Sequence, residues 1–260
     1  MTHMNRAIRT VLTLFLLLSC ATAARAQAVG NGNLYRWDGK AFVQENGFGV
    51  RVAVAPNGDA WVVNAAGEIY RRAGGEFRQI TGGAKDIAVG GDGTVWVIGT
   101  DDKVYRWNRT TWDLVPGEGM AIAAGRRGDP WVVNRRGEIY HWNGKSFERQ
   151  EGTARDVGAG NSVWVVGQEN GLHELQRDGA FSQNRGTGVR VTVGANGAPW
   201  AVTANGDIYR WRGQAFEQVP GTATDIGANA RGDVWAIGQL VTATTPAPDR
   251  PGRGRARGRQ

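Results

Sequence analysis

The sequence predicts an all-β protein, a six-bladed β-propeller with four strands in each blade and about 35 residues in each repeat. Two observations lead to this prediction. A tryptophan followed by two aliphatic residues recurs six times at spacings of 33–36 residues, and the strands missing from the last repeat are found at the N-terminal end. The recurring tryptophans are Trp61, Trp96, Trp131, Trp164, Trp200 and Trp235.

Each repeat is predicted to contain four short strands, and the second repeat shows them clearly. They cover residues 86–89, 95–98, 104–107 and 111–115. A period near 35 residues also fits paired helices, but 40 glycines, repeated Asn-Gly and Asp-Gly turns and short runs of Val, Ile, Trp and Tyr favour strands and hairpins. No window has apolar residues at a sustained helical spacing.

The two ends of the repeat region are predicted to complete one blade together. The sixth repeat stops after residue 238, before its third and fourth strands. Residues 34–37 and 42–43 have the pattern of those missing strands. Pairing the two ends would close the ring and remove the open sheet edges that favour aggregation.

The chain divides into three predicted parts: residues 1–26, a signal peptide; residues 27–240, the propeller; and residues 241–260, a disordered basic tail. Arg6 and Arg9 precede an apolar run at residues 11–18, which is too short for a permanent membrane span, and Ala24-Arg25-Ala26 fits a cleavage site. An alternative is lipoprotein processing, with lipidation at Cys20. A chain cleaved after Ala26 contains no cysteine, so neither a disulfide nor thiol chemistry is expected.

The net charge of +7 comes from the two ends of the chain. Residues 1–26 contribute +3 and residues 241–260 contribute +4, so the predicted propeller is neutral. The Pro/Gly/Arg-rich tail could attach the protein to anionic polymers such as lipopolysaccharide. Arg-Gly runs also occur in nucleic-acid-binding proteins, but export and the neutral propeller argue against nucleic acid as a specific partner.

A second, longer periodicity distinguishes alternate repeats. Three repeats carry an aspartate before the first strand, where the other three carry Arg, Ala and Arg. These residues are Asp86, Asp156 and Asp225 in one class and Arg51, Ala121 and Arg190 in the other. The ring therefore resembles three copies of a two-blade unit.

The repeat resembles that of the tectonin family of β-propeller lectins, which includes tachylectin-like and egg-lectin-like proteins. The matching segments are Pro220-Gly221-Thr222-Ala223-Thr224-Asp225-Ile226-Gly227, Val234-Trp235-Ala236-Ile237-Gly238, Ile208-Tyr209-Arg210-Trp211 and Phe216-Glu217-Gln218-Val219. The chain departs from this pattern at Arg71-Arg72 and at His173-Glu174-Leu175. The resemblance implies a protein that binds sugars or lipopolysaccharide.

Catalytic residue patterns are not found in the sequence. Residues 27–260 contain two histidines, His141 and His173, and the carboxylates are scattered over the repeat turns. Asp92-Gly93 and similar pairs fit hairpin turns better than calcium sites, and no zinc motif or phosphate-binding loop is recognisable. We therefore expect a non-enzymatic protein without a metal or other cofactor.

The eleven tryptophans fall into two main classes. The six recurring tryptophans are expected to fill the core between adjacent blades. Four others end the third strand of their repeats: Trp37, Trp107, Trp142 and Trp211. They either complete the core or present an indole face on which a sugar ring could stack.

Repeated polar residues could donate or accept hydrogen bonds to the sugar hydroxyls. They are Asn64, Asn134, Asp86, Asp156, Asp225, Arg51 and Arg190. The alternative is that they fix turns through bonds between side chain and backbone.

The sequence thus predicts an exported or periplasmic monomer that binds glycan or lipopolysaccharide at several equivalent sites, without a transmembrane segment. The alternative function is a periplasmic scaffold that holds another envelope protein and has no affinity for sugar.

Overall fold

In the computed structural model, which describes residues 30–238, the chain forms 22 β-strands and one turn of 3-10 helix at Ala195–Gly197. All strand pairs are antiparallel. The predicted all-β class is confirmed. The predicted signal peptide, the alternative lipidation site Cys20 and the predicted tail lie outside the described residues.

The strands pair in six sets along the chain. Set 1 contains β3 (Arg51–Val54), β4 (Ala60–Val63), β5 (Glu68–Ala73) and the first part of β6 (Glu76–Val89). Set 2 contains the second part of β6 with β7 (Val95–Gly99), β8 (Lys103–Trp107) and β9 (Trp112–Glu118). Because β6 belongs to both sets, these seven strands form one continuous sheet.

The next three sets follow in the same order. Set 3 contains β10 (Ala121–Ala124), β11 (Pro130–Val133), β12 (Glu138–Trp142) and β13 (Phe147–Thr153). Set 4 contains β14 (Asp156–Ala159), β15 (Val163–Val166) and β16 (Leu172–Glu174). Set 5 contains β17 (Arg190–Val193), β18 (Pro199–Val202), β19 (Asp207–Trp211) and β20 (Phe216–Thr222).

Set 6 joins the two ends of the described chain. It contains β21 (Asp225–Ala228), β22 (Val234–Gly238), β1 (Gly32–Trp37) and β2 (Phe42–Gly49). Strand β1 pairs with β22 in the register Leu34 to Ile237. The predicted pairing of the N-terminal strands with the last repeat is therefore present.

Set 4 differs from the prediction of four strands because its outer segment forms only isolated bridges, one of them between Leu175 and Phe181. Two polar side chains there accept hydrogen bonds from the backbone of β16. The N–H of Glu174 donates to Ser182 Oγ at 2.9 Å, and the N–H of Leu172 is shared between Asn184 Oδ1 at 3.2 Å and the carbonyl oxygen of Gly186 at 2.9 Å. The segment follows β16 without forming a regular ladder.

The first strands of the six sets lie side by side around a central channel. Each contacts the first strand of the next set, and β21 contacts β3, so the order returns to its beginning. Six hydrophobic clusters fill the junctions between successive sets, and each contains one of the recurring tryptophans. All six are buried, which confirms their prediction as core residues.

Candidate functional site

The four strand-end tryptophans lie where each third strand turns into the fourth. We call this side of the sheets, formed by residues 38–41 and the equivalent turns, the tryptophan face. Each indole is half-buried and contacts an aromatic ring across its own hairpin. The centroid distances are 5.1 Å for Trp37–Phe42, 4.9 Å for Trp107–Trp112, 5.1 Å for Trp142–Phe147 and 5.1 Å for Trp211–Phe216. These tryptophans therefore close the core while keeping part of their surface in solvent.

A basic side chain covers the core tryptophan in several sets. Arg71, Arg106 and Arg210 lie over Trp61, Trp96 and Trp200 with 5.5, 5.6 and 5.1 Å between guanidinium carbon and ring centroid. His141 stacks on Trp131 at 4.2 Å with 16° between the ring planes. Each of these residues is the direct cross-strand neighbour of its tryptophan. Cation–π contact stabilises the three arginine pairs, and ring stacking holds His141 on Trp131.

Sequence reasoning did not single out these basic residues, three of which line the pockets described next. The signal was present, because the residue after the third-strand tyrosine is basic in five repeats: Arg36, Arg71, Arg106, His141 and Arg210. Set 4 has Glu174 at this position.

Two pockets on the tryptophan face lie at equivalent junctions. The Arg106 pocket, between sets 2 and 3, has a volume of about 470 Å³ and contains Trp96, Arg106, Asp129, His141 and Trp142. The Arg210 pocket, between sets 5 and 6, has a volume of about 660 Å³ and contains the equivalent residues Trp200, Arg210, Asp233, Arg36 and Trp37. These volumes are large enough to hold a small ligand.

The carboxylate of each pocket is held by a basic neighbour. Asp129 Oδ2 lies 2.8 Å from His141 Nε2, and Arg36 Nη2 donates to Asp233 Oδ1 at 3.1 Å. Asp129 and Asp233 each directly precede the second strand of their set by one residue. Each pocket therefore presents a fixed carboxylate beside an indole. The carboxylate can accept hydrogen bonds from ligand hydroxyls.

The two arginines that cover the core tryptophans of these pockets, unlike the carboxylates, have no hydrogen-bond or ion-pair partner for their side chains among the described residues. They are Arg106 and Arg210, and Arg210 Nε is buried without an acceptor. Burial lowers the pKa of Arg210, and the nearby charge of Arg212 lowers it further. Their donors are available to a ligand with acceptor atoms.

The predicted aspartates Asp86, Asp156 and Asp225 lie elsewhere, around the central channel. Each is buried and accepts a hydrogen bond from a backbone N–H of the next set. The donors are Ile122 to Asp86 at 2.9 Å, Val191 to Asp156 at 2.8 Å and Val52 to Asp225 at 2.8 Å. These contacts hold the first strands of successive sets together.

The two predicted arginines form ion pairs with these aspartates. Arg190 lies 3.2 Å from Asp156 and 3.5 Å from Asp225, and Arg51 lies 3.5 Å from Asp86. Burial raises the pKa of all three aspartates, that of Asp225 to about 6, although the arginines partly oppose the change. Burial alone would lower the pKa of Arg190, but the aspartates raise it on balance.

The predicted asparagines fix turns at the opposite side of the sheets from the tryptophan face. Asn64 Oδ1 accepts from the N–H groups of Ala66 and Glu68, and its amide donates to the Glu68 carboxylate at 2.7 Å. Asn134 makes the same three contacts with Arg136 and Glu138. We call this side the asparagine face.

The structure does not bring the two groups of predicted site residues together. Asp225 is opposite Ile237, which is opposite Leu34, whereas Trp37 is three residues farther along β1. At about 3.3 Å per residue this separates the two positions by about 10 Å along the strand. The strand-end tryptophans line the tryptophan face, while the predicted Asn, Asp and Arg residues lie at the other ends of the strands.

Comparison with known families identifies the repeat. The model of the Tectonin domain matches residues 26–96, 83–183 and 153–243. The chain belongs to the tectonin family. A search of curated protein sequences found no match.

Solved structures similar to this tectonin include two lyases and a peptide-bound protein. A streptogramin B lyase is 17% identical over 80% of this chain and 91% of its own, with a TM-score of 0.56. The inactive H270A virginiamycin B lyase of Staphylococcus aureus, with quinupristin, is 17% identical over 80% of this chain and 79% of its own, with a TM-score of 0.54. YCF48 bound to D1 peptide is 13% identical over 79% of this chain and 84% of its own, with a TM-score of 0.50. At these identities the likeness concerns the fold alone.

Residues 30–238 contain neither a candidate metal site nor a candidate membrane-spanning helix. No group of three or more His, Cys, Asp or Glu side chains there is arranged to hold a metal ion. No helix in the same range is long and apolar enough to cross a membrane.

Proposed function

We propose that this tectonin is a non-enzymatic, exported six-bladed β-propeller that binds glycan or lipopolysaccharide through pockets on its tryptophan face. The six strand sets would be the blades, with set 4 carrying an irregular outer segment. The observation that carries the proposal is the repeated grouping of an indole edge, a stacked cation and a fixed carboxylate at a junction between sets. Sugars are bound by such groups, because they combine apolar C–H faces with many hydroxyls.

The central aspartates and arginines have a structural role in this proposal. They were candidate glycan-binding residues in the sequence, but their hydrogen bonds and ion pairs are used between successive sets. Asn64 and Asn134 likewise use their side chains within their own turns. Glycan contacts are therefore assigned to the tryptophan face.

The non-enzymatic part of the proposal rests on the environment of the two histidines. His141 stacks on Trp131 and contacts Asp129, and His173 Nδ1 lies 2.8 Å from the carbonyl oxygen of Ser182. Neither contact pairs the imidazole with a nucleophilic side chain. Incubation with streptogramin B antibiotics tests the alternative that the lyase resemblance extends to activity, and linearised product would contradict the proposal.

A glycan array probed with residues 27–260 tests sugar binding directly. We expect weak binding at single sites, in the millimolar to micromolar range, strengthened by avidity on a dense array. Trp142→Ala and Trp37→Ala should lower the signal while the thermal midpoint shows that each variant remains folded. Their loss of stacking should be on the order of 1 kcal/mol per site.

A periplasmic scaffold is the second candidate function. It is favoured by the similarity of the fold to YCF48, whose solved structure contains a bound peptide. If the array gave no glycan signal and an envelope protein were captured through the same face, the scaffold function would replace the lectin proposal.

The location outside the cytoplasm rests on the N-terminal sequence and is tested by fractionating cells that express the full chain.

A further inference from the structure

Only part of the six-fold pattern carries a complete set of ligand-binding groups. The Arg106 and Arg210 pockets each combine a strand-end tryptophan, an arginine over the core tryptophan and a carboxylate at the start of the second strand. The four other junctions each lack at least one of these three groups. The difference lies in single residues at equivalent positions.

Three of these junctions lack the carboxylate, because another residue directly precedes the second strand where the complete pockets have Asp129 or Asp233. Between sets 1 and 2 the position is Thr94, between sets 3 and 4 it is Ser162, and between sets 4 and 5 it is Ala198. At the last of these, Glu174 also replaces the arginine beside the core tryptophan.

The junction between sets 6 and 1 retains the carboxylate, Asp59, but has Arg72 in place of the strand-end tryptophan. Arg72 itself lies over Trp235 at 5.3 Å and pairs with Glu45 at 3.3 Å and Asp59 at 3.8 Å. The protein's own side chain therefore covers the indole, and its partners neutralise its charge.

The two complete pockets lie on opposite sides of the ring of strand sets. One is at the junction of sets 2 and 3 and the other at the junction of sets 5 and 6, so three sets separate them in either direction. Two ligands bound there would not contact each other.

The charges of the Arg210 pocket indicate what kind of ligand it takes. Its carboxylates already have partners: Asp233 with Arg36, Glu45 with Arg72, and Asp38 with the N–H groups of Lys40 and Ala41. The guanidinium of Arg210 has none among the described residues, and its buried Nε lacks an acceptor.

The Arg106 pocket repeats this pattern. Asp129 contacts His141, and Asp92 accepts hydrogen bonds from the N–H and hydroxyl of Thr94. Arg106 has no carboxylate partner, and the second arginine of the pocket, Arg127, has none either. In both pockets the unmatched group is thus a planar guanidinium, which best matches the paired oxygens of a carboxylate or phosphate.

We propose that the Arg106 and Arg210 pockets each bind one sugar unit that carries an anionic substituent, a carboxylate or a phosphate. This inference rests on the proposed glycan-binding function and gives it a stoichiometry of two and a ligand class. The guanidinium holds the anion, the carboxylate accepts hydrogen bonds from ring hydroxyls, and the strand-end indole contacts the C–H face of the sugar.

Calorimetric titration of residues 27–260 with glucose, glucuronic acid and glucose 6-phosphate tests the proposal. We expect at least one of the two acidic sugars to bind about tenfold more tightly than glucose, since a hydrogen bond to a charged group is the stronger kind. The comparison of the two acids distinguishes carboxylate from phosphate as the preferred substituent. Two molecules should bind per chain, and added salt should weaken the binding.

Arginine variants locate the two sites. Arg106→Gln and Arg210→Gln should each leave one acidic sugar bound per chain, and the double variant should lose the preference for acidic over neutral sugar. Arg71→Gln is the matched control, because Arg71 covers Trp61 in the same way at a junction with Thr94 in place of the carboxylate. It should leave both the affinity and the stoichiometry unchanged.

The outcomes separate this inference from the function on which it rests. Equal binding of glucose and both acidic sugars, six ligands per chain, or an effect of Arg71→Gln equal to that of Arg106→Gln would overturn the two-site proposal and leave glycan binding in place. If no saccharide binds on the array or in titration, both fail. Should a glutamine variant unfold, the stoichiometry and salt dependence of the unaltered chain still decide the question.

Discussion

The carboxylate of Asp225 accepts a hydrogen bond from the backbone N–H of Val52 at 2.8 Å, although the two residues are 173 positions apart in the chain. Val52 is in the first strand of set 1 and Asp225 begins the first strand of set 6. The contact joins the last set to the first beside the channel, while the pairing of β1 with β22 joins the chain ends within set 6. The closed order of the sets thus depends on both a side chain and a strand.

The N-terminal strand should be essential to stability, and one buried residue tests this. Leu34 is fully buried in the cluster with Trp235 and Ile237. Leu34→Ala should lower the free energy of unfolding by roughly 2–5 kcal/mol, because it empties a packed site. Val43, in the next strand, is 51% exposed and provides the control. Val43→Ala should change stability by less than about 0.5 kcal/mol.

Urea denaturation of both variants gives the two values directly. Equal small effects would show that β1 contributes little to the closed core. Deleting residues 27–45 should have the larger effect of removing cooperative unfolding altogether, because it removes β1 and half of β2 from set 6.

Much of the fold could be predicted from the sequence because its repeat is local and regular. The spacing of Trp61, Trp96 and the later tryptophans located one core position in every set, and the incomplete last repeat indicated the pairing of the chain ends. The irregular edge of set 4 was harder to foresee. There the side chain of Ser182 accepts the hydrogen bond of the Glu174 N–H, and the side chain of Asn184 shares that of the Leu172 N–H with a backbone carbonyl.

The candidate site was less predictable because it depends on register and on contacts between sets. Trp96 meets Arg106 only because the two residues are direct cross-strand neighbours, and a slip of one residue would move the arginine to the other face of the sheet. Asp129 reaches the same pocket from the next set. The strand-end tryptophans were correctly placed near a turn, but the polar residues grouped with them lie at the opposite strand ends.

The core tryptophans should differ in their tolerance of phenylalanine. Trp96 Nε1 donates to the carbonyl oxygen of Gly128 at 2.9 Å, whereas the buried Nε1 of Trp164 has no acceptor among the described residues. Both indoles are almost fully buried, so the loss of ring volume is similar. We expect Trp96→Phe to lower the free energy of unfolding by about 1 kcal/mol more than Trp164→Phe. Chemical denaturation of the two variants measures the difference, and an equal loss would contradict it.

Stability should fall as the pH rises from about 4 to about 7. Burial raises the pKa of Asp225 to about 6, so the folded state holds this proton more tightly than the unfolded chain does. That contribution is complete below the ordinary carboxylate pKa of about 4 and is lost as the pH rises through the folded value. Asp86 and Asp156 act in the same direction. The urea midpoint should therefore decrease over this interval.

Two variants assign this pH dependence. Asp225→Asn should flatten the profile between about pH 4 and 7, because its amide oxygen can still accept from Val52 but does not titrate. Glu138→Gln should not flatten the profile. Hydrogen bonds from Asn134 and Arg136 lower the pKa of Glu138 to about 2, so its contribution to stability increases as the pH rises from about 4 and opposes the decline. A slope that persists in Asp225→Asn would show that other groups control it.

The last prediction concerns the channel position where the third arginine is missing. Arg51, Ala121 and Arg190 pair with equivalent valines in their sets, and both arginines lie near the channel aspartates. Ala121 leaves no cation between Asp86 and Asp156, and the charge of Asp86 contributes to the raised pKa of Asp156. Ala121→Arg would place a guanidinium where the pattern of alternate sets has one.

We expect Ala121→Arg to raise the unfolding midpoint more at pH 7 than at about pH 4. Burial raises the pKa of Asp86 and Asp156, so the carboxylates on which the added cation acts carry more negative charge at the higher pH. The substitution should thereby reduce the decline in stability between these pH values. Ala121→Gln is the control for size, since it adds a long polar side chain without charge, and it should leave the decline intact. Melting curves of the three proteins at both pH values are sufficient. An equal change in midpoint for Ala121→Arg at both pH values would mean that the new side chain acts through packing alone and that Asp86 and Asp156 do not repel each other across the channel.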